Sequence, residues 1–187
     1  DIRGIYGETV TAELFYFTGK AFSNYITQKS KKDAKDIWVT VARDARHHSL
    51  ELSKALIKGL TSTGVNVIDL GLAPTPIGYY SEVANLNFDF YENKPEIIAS
   101  LVVTASHNPP EYNGLKMTYN KSSLSESEIA EVRELTRAEY KGMNKNANRT
   151  GYCKEVNIIP QYIENMANSF SRIGEGLKIV VDSANAT

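Results

Sequence analysis

A serine, a histidine and an asparagine stand together at Ser106, His107 and Asn108, directly after the apolar run IIASLVV and directly before Pro109 and Pro110. A hydroxyl can carry an acyl or phosphoryl group, an imidazole can donate a hydrogen bond or move a proton, and an amide can donate to oxygens. The run before them is rich in branched residues and too short for a membrane span, which predicts a strand buried on both faces. Its polar successors then sit just beyond the strand's carboxyl end, where ligands gather in open α/β sheets. The two prolines forbid continuation as a helix or central strand. Asn113-Gly114 predicts a turn. Leu115, Lys116 and Met117 read as a returning strand that carries a lysine back toward the serine. Two blander or different readings compete. Ser-His-Asn-Pro-Pro suits an ordinary turn. A serine beside a histidine also invites a hydrolase, but the Gly-x-Ser-x-Gly elbow is absent, and adjacent residues rarely place an imidazole on a neighbour's hydroxyl.

Around this loop the chain alternates strand and helix. The opening Asp1-Ile-Arg-Gly-Ile-Tyr-Gly has two glycines, Gly4 and Gly7, close to Arg3. That composition suits a backbone pressed close to something, an anion being one choice and a frayed end with a surface arginine the other. Thr11 can cap a helix to about residue 28, with Leu14, Phe17, Ala21 and Tyr25 on its buried face. Residues 37–41 make a strand. The charged stretch Ala42-Arg-Asp-Ala-Arg-His-His-Ser follows it. Its charges could bind an anion or lock one another. His47 and His48 lack a metal-ligand partner at useful spacing and read as polar surface residues. Ser49 suits an N-cap, and Leu52, Leu56, Gly59 and Leu60 form the buried stripe of a second helix ending near Gly64.

A strand over 65–70, a stiff Gly71-Leu-Ala-Pro-Thr-Pro turn and a helix over 77–85 come next, then a polar, aromatic loop over 87–96. After Lys116, Ser125 with Glu128 forms a capping box for a helix that buries Ile129, Val132 and Leu135. Residues 141–150 are polar and read as a linker. Pro160 can start a helix with Tyr162, Met166 and Phe170 roughly on one side, and residues 177–182 read as a fresh strand. This alternation predicts βα units and a mixed, mostly parallel sheet of about four strands with helices on both faces. The Asn113-Gly114 turn adds an antiparallel strand at its edge.

The run TASHNPPEYNGLK resembles the phosphoserine loop of the α-D-phosphohexomutases, most closely the bacterial phosphomannomutase/phosphoglucomutase branch, where a similar S-H-N-P-P-x-Y-N-G-x-K run occurs. Other stretches agree in order. DIRG is similar to the family's opening motif, whose arginine reaches the active site. Arg43 and Asp44 match its G-R-D-x-R pattern, with Ala42 in place of the glycine. KIVVD near the end resembles the first strand of the family's second domain, with Ala186 where glycine is usual. The resemblance implies domain 1 over residues 1–141, a linker over 142–159 and the start of a second α/β domain over 160–187. The chain opens without methionine and stops within a pattern, so it is expected to be the first part of a longer enzyme.

The implied activity interconverts hexose 6-phosphate and hexose 1-phosphate, of mannose or glucose, through a phosphoserine at Ser106 and a hexose bisphosphate intermediate. The glucosamine branch fits the opening DIRG and the PPEYNG run less well. In this reading Arg3 grips phosphate oxygens with its planar fork and Lys116 supplies a point charge or a proton shuttle. His107 and Asn108 donate to sugar or phosphate oxygens. Arg43 and Asp44 form a salt bridge that supports the loop, with Asn113 and Gly114 shaping it. The resemblance also implies Mg²⁺, with the phosphate on Ser106 as one ligand and the others outside residues 1–187. The chain alone is then expected to have little or no mutase activity. A non-catalytic module that binds a sugar phosphate or other anion is the alternative from another class.

Composition bounds the partners. A net charge of -1 with 42% hydrophobic and 23% charged residues describes a globular chain with no pull toward nucleic acid or an anionic membrane. The one cysteine, Cys153, allows no internal disulfide and points to a reducing, cytoplasmic compartment. The sequence leaves the oligomeric state open.

Overall fold

Strand β4 (Ile97–Val103), the apolar run before the serine, is buried at six of its seven positions. The computed structural model describes residues 1–84, 86, 95–142, 149–170 and 174–183. On one side β4 pairs in parallel with β2 (Trp38–Arg43), and β2 pairs in parallel with β3 (Asn66–Leu72). On its other side β4 pairs antiparallel with β5 (Tyr112–Tyr119), and β5 pairs antiparallel with β1 (Ile2–Ile5). The short β6 (Ser122–Ser123) also pairs with β5, and β7 (Cys153–Glu155) runs parallel to β3 at the far edge.

Among the described residues the sheet has seven strands, in the order β1-β5-β4-β2-β3-β7 with β6 on β5. This extends the expected core of about four. The additions were hard to read because they are short or glycine-rich, and a strand is completed by its neighbours' hydrogen bonds rather than by its own pattern. β1 is the DIRG stretch itself. β7 lies in the stretch expected to be linker.

Side-chain alternation sorts the sheet into two cores. Val39, Val41, Leu101, Val103 and Leu115 face α1 (Ala12–Ser30), α2 (Ser49–Ser62) and α4 (Glu126–Tyr140). Trp38, Ala42, Ile68 and Val102 face α3 (Thr75–Val83), whose Ile77 and Tyr80 complete that core. Helix α5 (Ile159–Ser169) lies on this second face, with Tyr162 edge-on to Tyr80 at 5.0 Å and Asn165 bonded to the Tyr80 hydroxyl. The helix expected to open a second domain thus packs on the first.

Local signals explain the helix ends. Thr11 accepts the Leu14 N–H at 3.1 Å, and Ser125 with Glu128 completes the capping box. At α2 the N-cap is His48, not Ser49; Ser49 is the first helical residue, and its hydroxyl serves the loop described below. Where α1 crosses α2, a Cβ on Gly59 would stand 2.0 Å from the Tyr16 carbonyl oxygen, so only glycine lets the helices meet.

Two other expectations are corrected. Asn113-Gly114 is not a turn: both residues lie inside β5, opposite Gly4 and Arg3. Residues 177–182 form no strand; Leu177, Ile179, Val180 and Val181 are 70%, 75%, 96% and 82% exposed, and none of the described strands pairs with them. Asn85, most of the 87–96 loop, part of the 142–159 linker and Ala186 lie outside the described residues.

Candidate active site

Ser106 is exposed and takes the left-handed conformation, with φ 56°. For a residue with a side chain that geometry costs about 1–2 kcal/mol, so its surroundings must impose it. They do so from both sides. The Ser106 N–H donates to Thr104 Oγ1 at 2.9 Å, and the Ser106 carbonyl accepts from Arg46 Nη2 at 3.1 Å. Thr104 is itself tied to β5 by its N–H to the Gly114 carbonyl at 3.0 Å. The tight turn then closes through the Asn108 N–H and Nδ2, which both donate to the Ala105 carbonyl, at 3.1 and 2.8 Å.

Arg46 dominates the underside of this loop. Its Nη1 donates to the carbonyls of Pro109 at 2.6 Å and Tyr112 at 3.1 Å, and its Nη2 to those of Ser106 at 3.1 Å and Asn108 at 2.6 Å. Its Nε faces Asp44 Oδ2 at 3.2 Å. Both partners of this pair are mostly buried, with side chains 15% and 14% exposed. Asp44 also accepts the Arg46 N–H at 3.1 Å and the Ser49 hydroxyl at 2.5 Å through Oδ1. The ion pair expected between Arg43 and Asp44 is therefore made by Arg46 instead. Among the described residues Arg43 reaches only the Asp44 carbonyl, at 3.4 Å, and its charge acts on Asp69. Alternation along β2 explains the change: Arg43 follows Val39 and Val41 on the α2 side.

A second clamp comes from His48, expected to be a surface residue. Asn113 is fully buried, and its amide oxygen accepts the Gly114 N–H at 2.8 Å. Its Nδ2 therefore donates, to Ser49 Oγ at 2.8 Å and to His48 Nδ1 at 2.7 Å. With Nδ1 accepting, the His48 proton sits on Nε2 and is given to the Pro110 carbonyl at 3.1 Å. The ring also stacks on Tyr6 at 4.5 Å, and the Tyr6 hydroxyl donates to Glu51. Sequence reasoning missed Arg46 and His48 because their partners are loop carbonyls some 60 positions away. The one available signal was the density of donors in Arg-Asp-Ala-Arg-His-His.

The two expected cations meet on the neighbouring strands. Arg3 stands opposite Gly114, two residues from Lys116 on β5, so both project from one face. The Asp1 carboxylate bridges them, 2.7 Å from Lys116 Nζ and 3.6 Å from Arg3 Nη2 through the same oxygen. Lys116 is opposite Val102, two residues before Thr104, so both cations lie at the end of the sheet that bears the Ser106 loop. His107 is exposed, with Nδ1 3.4 Å from Ser106 Oγ. That separation is long for a base and its nucleophile, and no carboxylate orients this ring among the described contacts. The Asn108 amide nitrogen is engaged within the loop.

The donor set does not fit a complete Mg²⁺ site. Among the described residues no group of three His, Cys, Asp or Glu side chains could hold a metal ion, whereas Mg²⁺ demands near-octahedral oxygen coordination. A phosphate on Ser106 would be the one ligand these residues offer. No described helix is long and apolar enough to cross a membrane. The arrangement suits holding a small anionic group on an exposed, rigidly presented hydroxyl.

Known proteins resemble the chain along nearly its whole length. The sequence profile of the family described as phosphoglucomutase/phosphomannomutase, alpha/beta/alpha domain I, matches residues 1–143. A phosphomannomutase/phosphoglucomutase of Pseudomonas aeruginosa is 35% identical over 185 residues, covering 99% of this chain and 35% of that relative. A probable phosphoglucosamine mutase of Thermococcus gammatolerans is 36% identical over 186 residues, covering 98% and 37%. The chain thus spans about a third of the length of these relatives. The crystal structure of a phosphoglucomutase/phosphomannomutase family protein from Burkholderia thailandensis superposes with a TM-score of 0.76 at 32% identity, covering 90% of this chain and 34% of that one. On sequence and fold together, the chain belongs to the phosphoglucomutase/phosphomannomutase family and contains its α/β/α domain I.

Proposed function

We propose that this chain supplies the phosphoryl-carrying serine of an enzyme that interconverts hexose 6-phosphates and hexose 1-phosphates. Phospho-Ser106 gives its phosphoryl group to the free hydroxyl of the sugar phosphate: the Oγ–P bond breaks, a sugar O–P bond forms, and the hydroxyl proton passes by way of a base to the released Ser106 Oγ. The resulting bisphosphate turns round and returns its other phosphoryl group to Ser106. Such transfer needs positioning and charge neutralisation more than covalent help. The observation that carries this reading is an exposed hydroxyl fixed in a costly backbone geometry, on the loop at the sheet end where Arg3 and Lys116 also stand.

Arg3 and Lys116 act on the phosphate, Arg3 as a two-pronged donor and Lys116 as a point charge or proton carrier. His107 donates to sugar or phosphate oxygens. Asn108 contributes through the loop's shape, since its amide nitrogen is already engaged. In the longer protein Mg²⁺ would take the phosphate of Ser106 as one ligand, with the rest coming from outside residues 1–187. The exposed residues 177–181 would enter a second domain's sheet. Relatives with glucose, mannose and glucosamine names are equally similar, at 35% and 36% identity, so the preference for glucose or mannose rests on the opening DIRG and the PPEYNG run. A single free cysteine agrees with a cytoplasmic location.

Mass spectrometry of the expressed chain tests the reading. A phosphate adduct on Ser106, and loss of turnover in the full-length Ser106→Ala variant, are the expected results. Normal turnover in that variant removes Ser106 from its role. Turnover of a hexose 1-phosphate by residues 1–187 alone would contradict the need for the rest of the enzyme.

A further inference from the structure

The guanidinium of Arg46 has five N–H donors, and the structure gives each a partner: Asp44 at Nε and the carbonyls of residues 106, 108, 109 and 112 at the two terminal nitrogens. None is left for a substrate or a phosphate. Three of the carbonyls it gathers belong to the loop and the fourth to Tyr112, the first residue of β5; one of them is that of Ser106, whose backbone is left-handed. A residue held in such a conformation stays there only when both of its peptide groups are pinned. Thr104 pins one and Arg46 the other. His48 adds the Pro110 carbonyl from the same side.

We infer that Arg46 is the positioning residue of the phosphoryl carrier: it sets the direction of Ser106 Oγ by gathering the loop's carbonyls and touches neither sugar nor phosphate. This rests on the mutase reading above. Asp44 orients the guanidinium edge-on through Nε and its own main-chain contact, which leaves both terminal nitrogens aimed into the loop. Lysine cannot replace this arrangement, because an ammonium is a point charge with three donors and no planar fork.

The full-length enzyme and the unmodified chain together test it. Arg46→Lys is expected to lower kcat by about 10²-fold, the loss that a displacement near 1 Å produces. The KM for hexose phosphate is expected to stay within about twofold, because no substrate contact is removed. A kcat near that of the parent overturns the inference, and so does a raised KM with kcat unchanged, which would put Arg46 on the substrate. Should Arg46→Lys not fold, the unmodified 187-residue chain decides. Nitrogen-15 spectra are expected to show separate, slowly exchanging Nη protons for Arg46, and a freely rotating guanidinium overturns the inference. Ser106→Ala keeps the two readings apart: activity surviving there defeats the mutase reading, whereas a dead Ser106→Ala beside a normal Arg46→Lys defeats only the role of Arg46.

Discussion

Gly114 lies so close to Ile2 that a Cβ on it would stand 2.2 Å from the Ile2 carbonyl oxygen. The contact seats β1 on β5 and so fixes where Arg3 stands relative to Lys116. Gly114→Ala must push the two strands apart. It is expected to cost about 1–3 kcal/mol, the usual price of overfilling a packed site, read as a lower urea midpoint with an unchanged slope. A variant as stable as the parent would mean that β1 does not lie on β5 in this register.

Helices α1 and α4 are joined by a buried ion pair. Lys20 Nζ lies 2.6 Å from Glu139, with side chains 7% and 0% exposed, and Asn24 Nδ2 donates to the same carboxylate at 2.8 Å. Removing the cation from beside a carboxylate that water cannot reach costs about 3–5 kcal/mol. Lys20→Met should show that loss by chemical denaturation. The double variant Lys20→Met with Glu139→Gln should recover most of it, since both charges are then gone. Additive losses would show that the two residues do not form one pair.

Burial raises the Glu82 carboxyl above its ordinary value of 4.5, against the Thr118 hydroxyl and the Lys121 N–H that lower it. The folded chain therefore holds this proton more tightly than the unfolded chain. Its contribution to stability is full below pH 4.5 and is lost as pH rises through the raised folded value. Glu82→Gln cannot ionise. It should show a flatter dependence of stability on pH than the parent as pH rises above 4.5, measured by urea unfolding at several pH values. Identical slopes would remove Glu82 from the account.

Cys153 sits at the surface on β7, opposite Val67. Desolvation of its thiol against the sheet, with the Asp69 and Glu155 carboxylates nearby, pushes it up from 9.0 to about 11. Thiolate is the reactive form, and its smaller fraction outweighs its greater intrinsic nucleophilicity. Alkylation at pH 8 should run about tenfold slower than for an unperturbed thiol. A rate equal to that of a small-molecule thiol would show β7 detached from the sheet edge.

The sequence alone determined the parts whose signals are local. The apolar run 97–103 suited a buried strand, Thr11 and the Ser125–Glu128 box marked helix starts, and the long Ser-His-Asn-Pro-Pro-Glu-Tyr-Asn-Gly-Leu-Lys motif marked the loop. Tertiary structure decided what depends on distant partners. Asn113-Gly114 became strand because a buried amide and a missing Cβ were needed between β1, β5 and α2, which outweighed their turn preference. Arg46 rather than Arg43 took Asp44 because strand alternation aimed Arg43 toward Asp69, while Arg46 stood beneath the loop. Residues 177–182 read as a strand by pattern, yet a strand exists only where another backbone accepts its hydrogen bonds. Local pattern specifies what a segment can be; the partner it meets decides what it becomes.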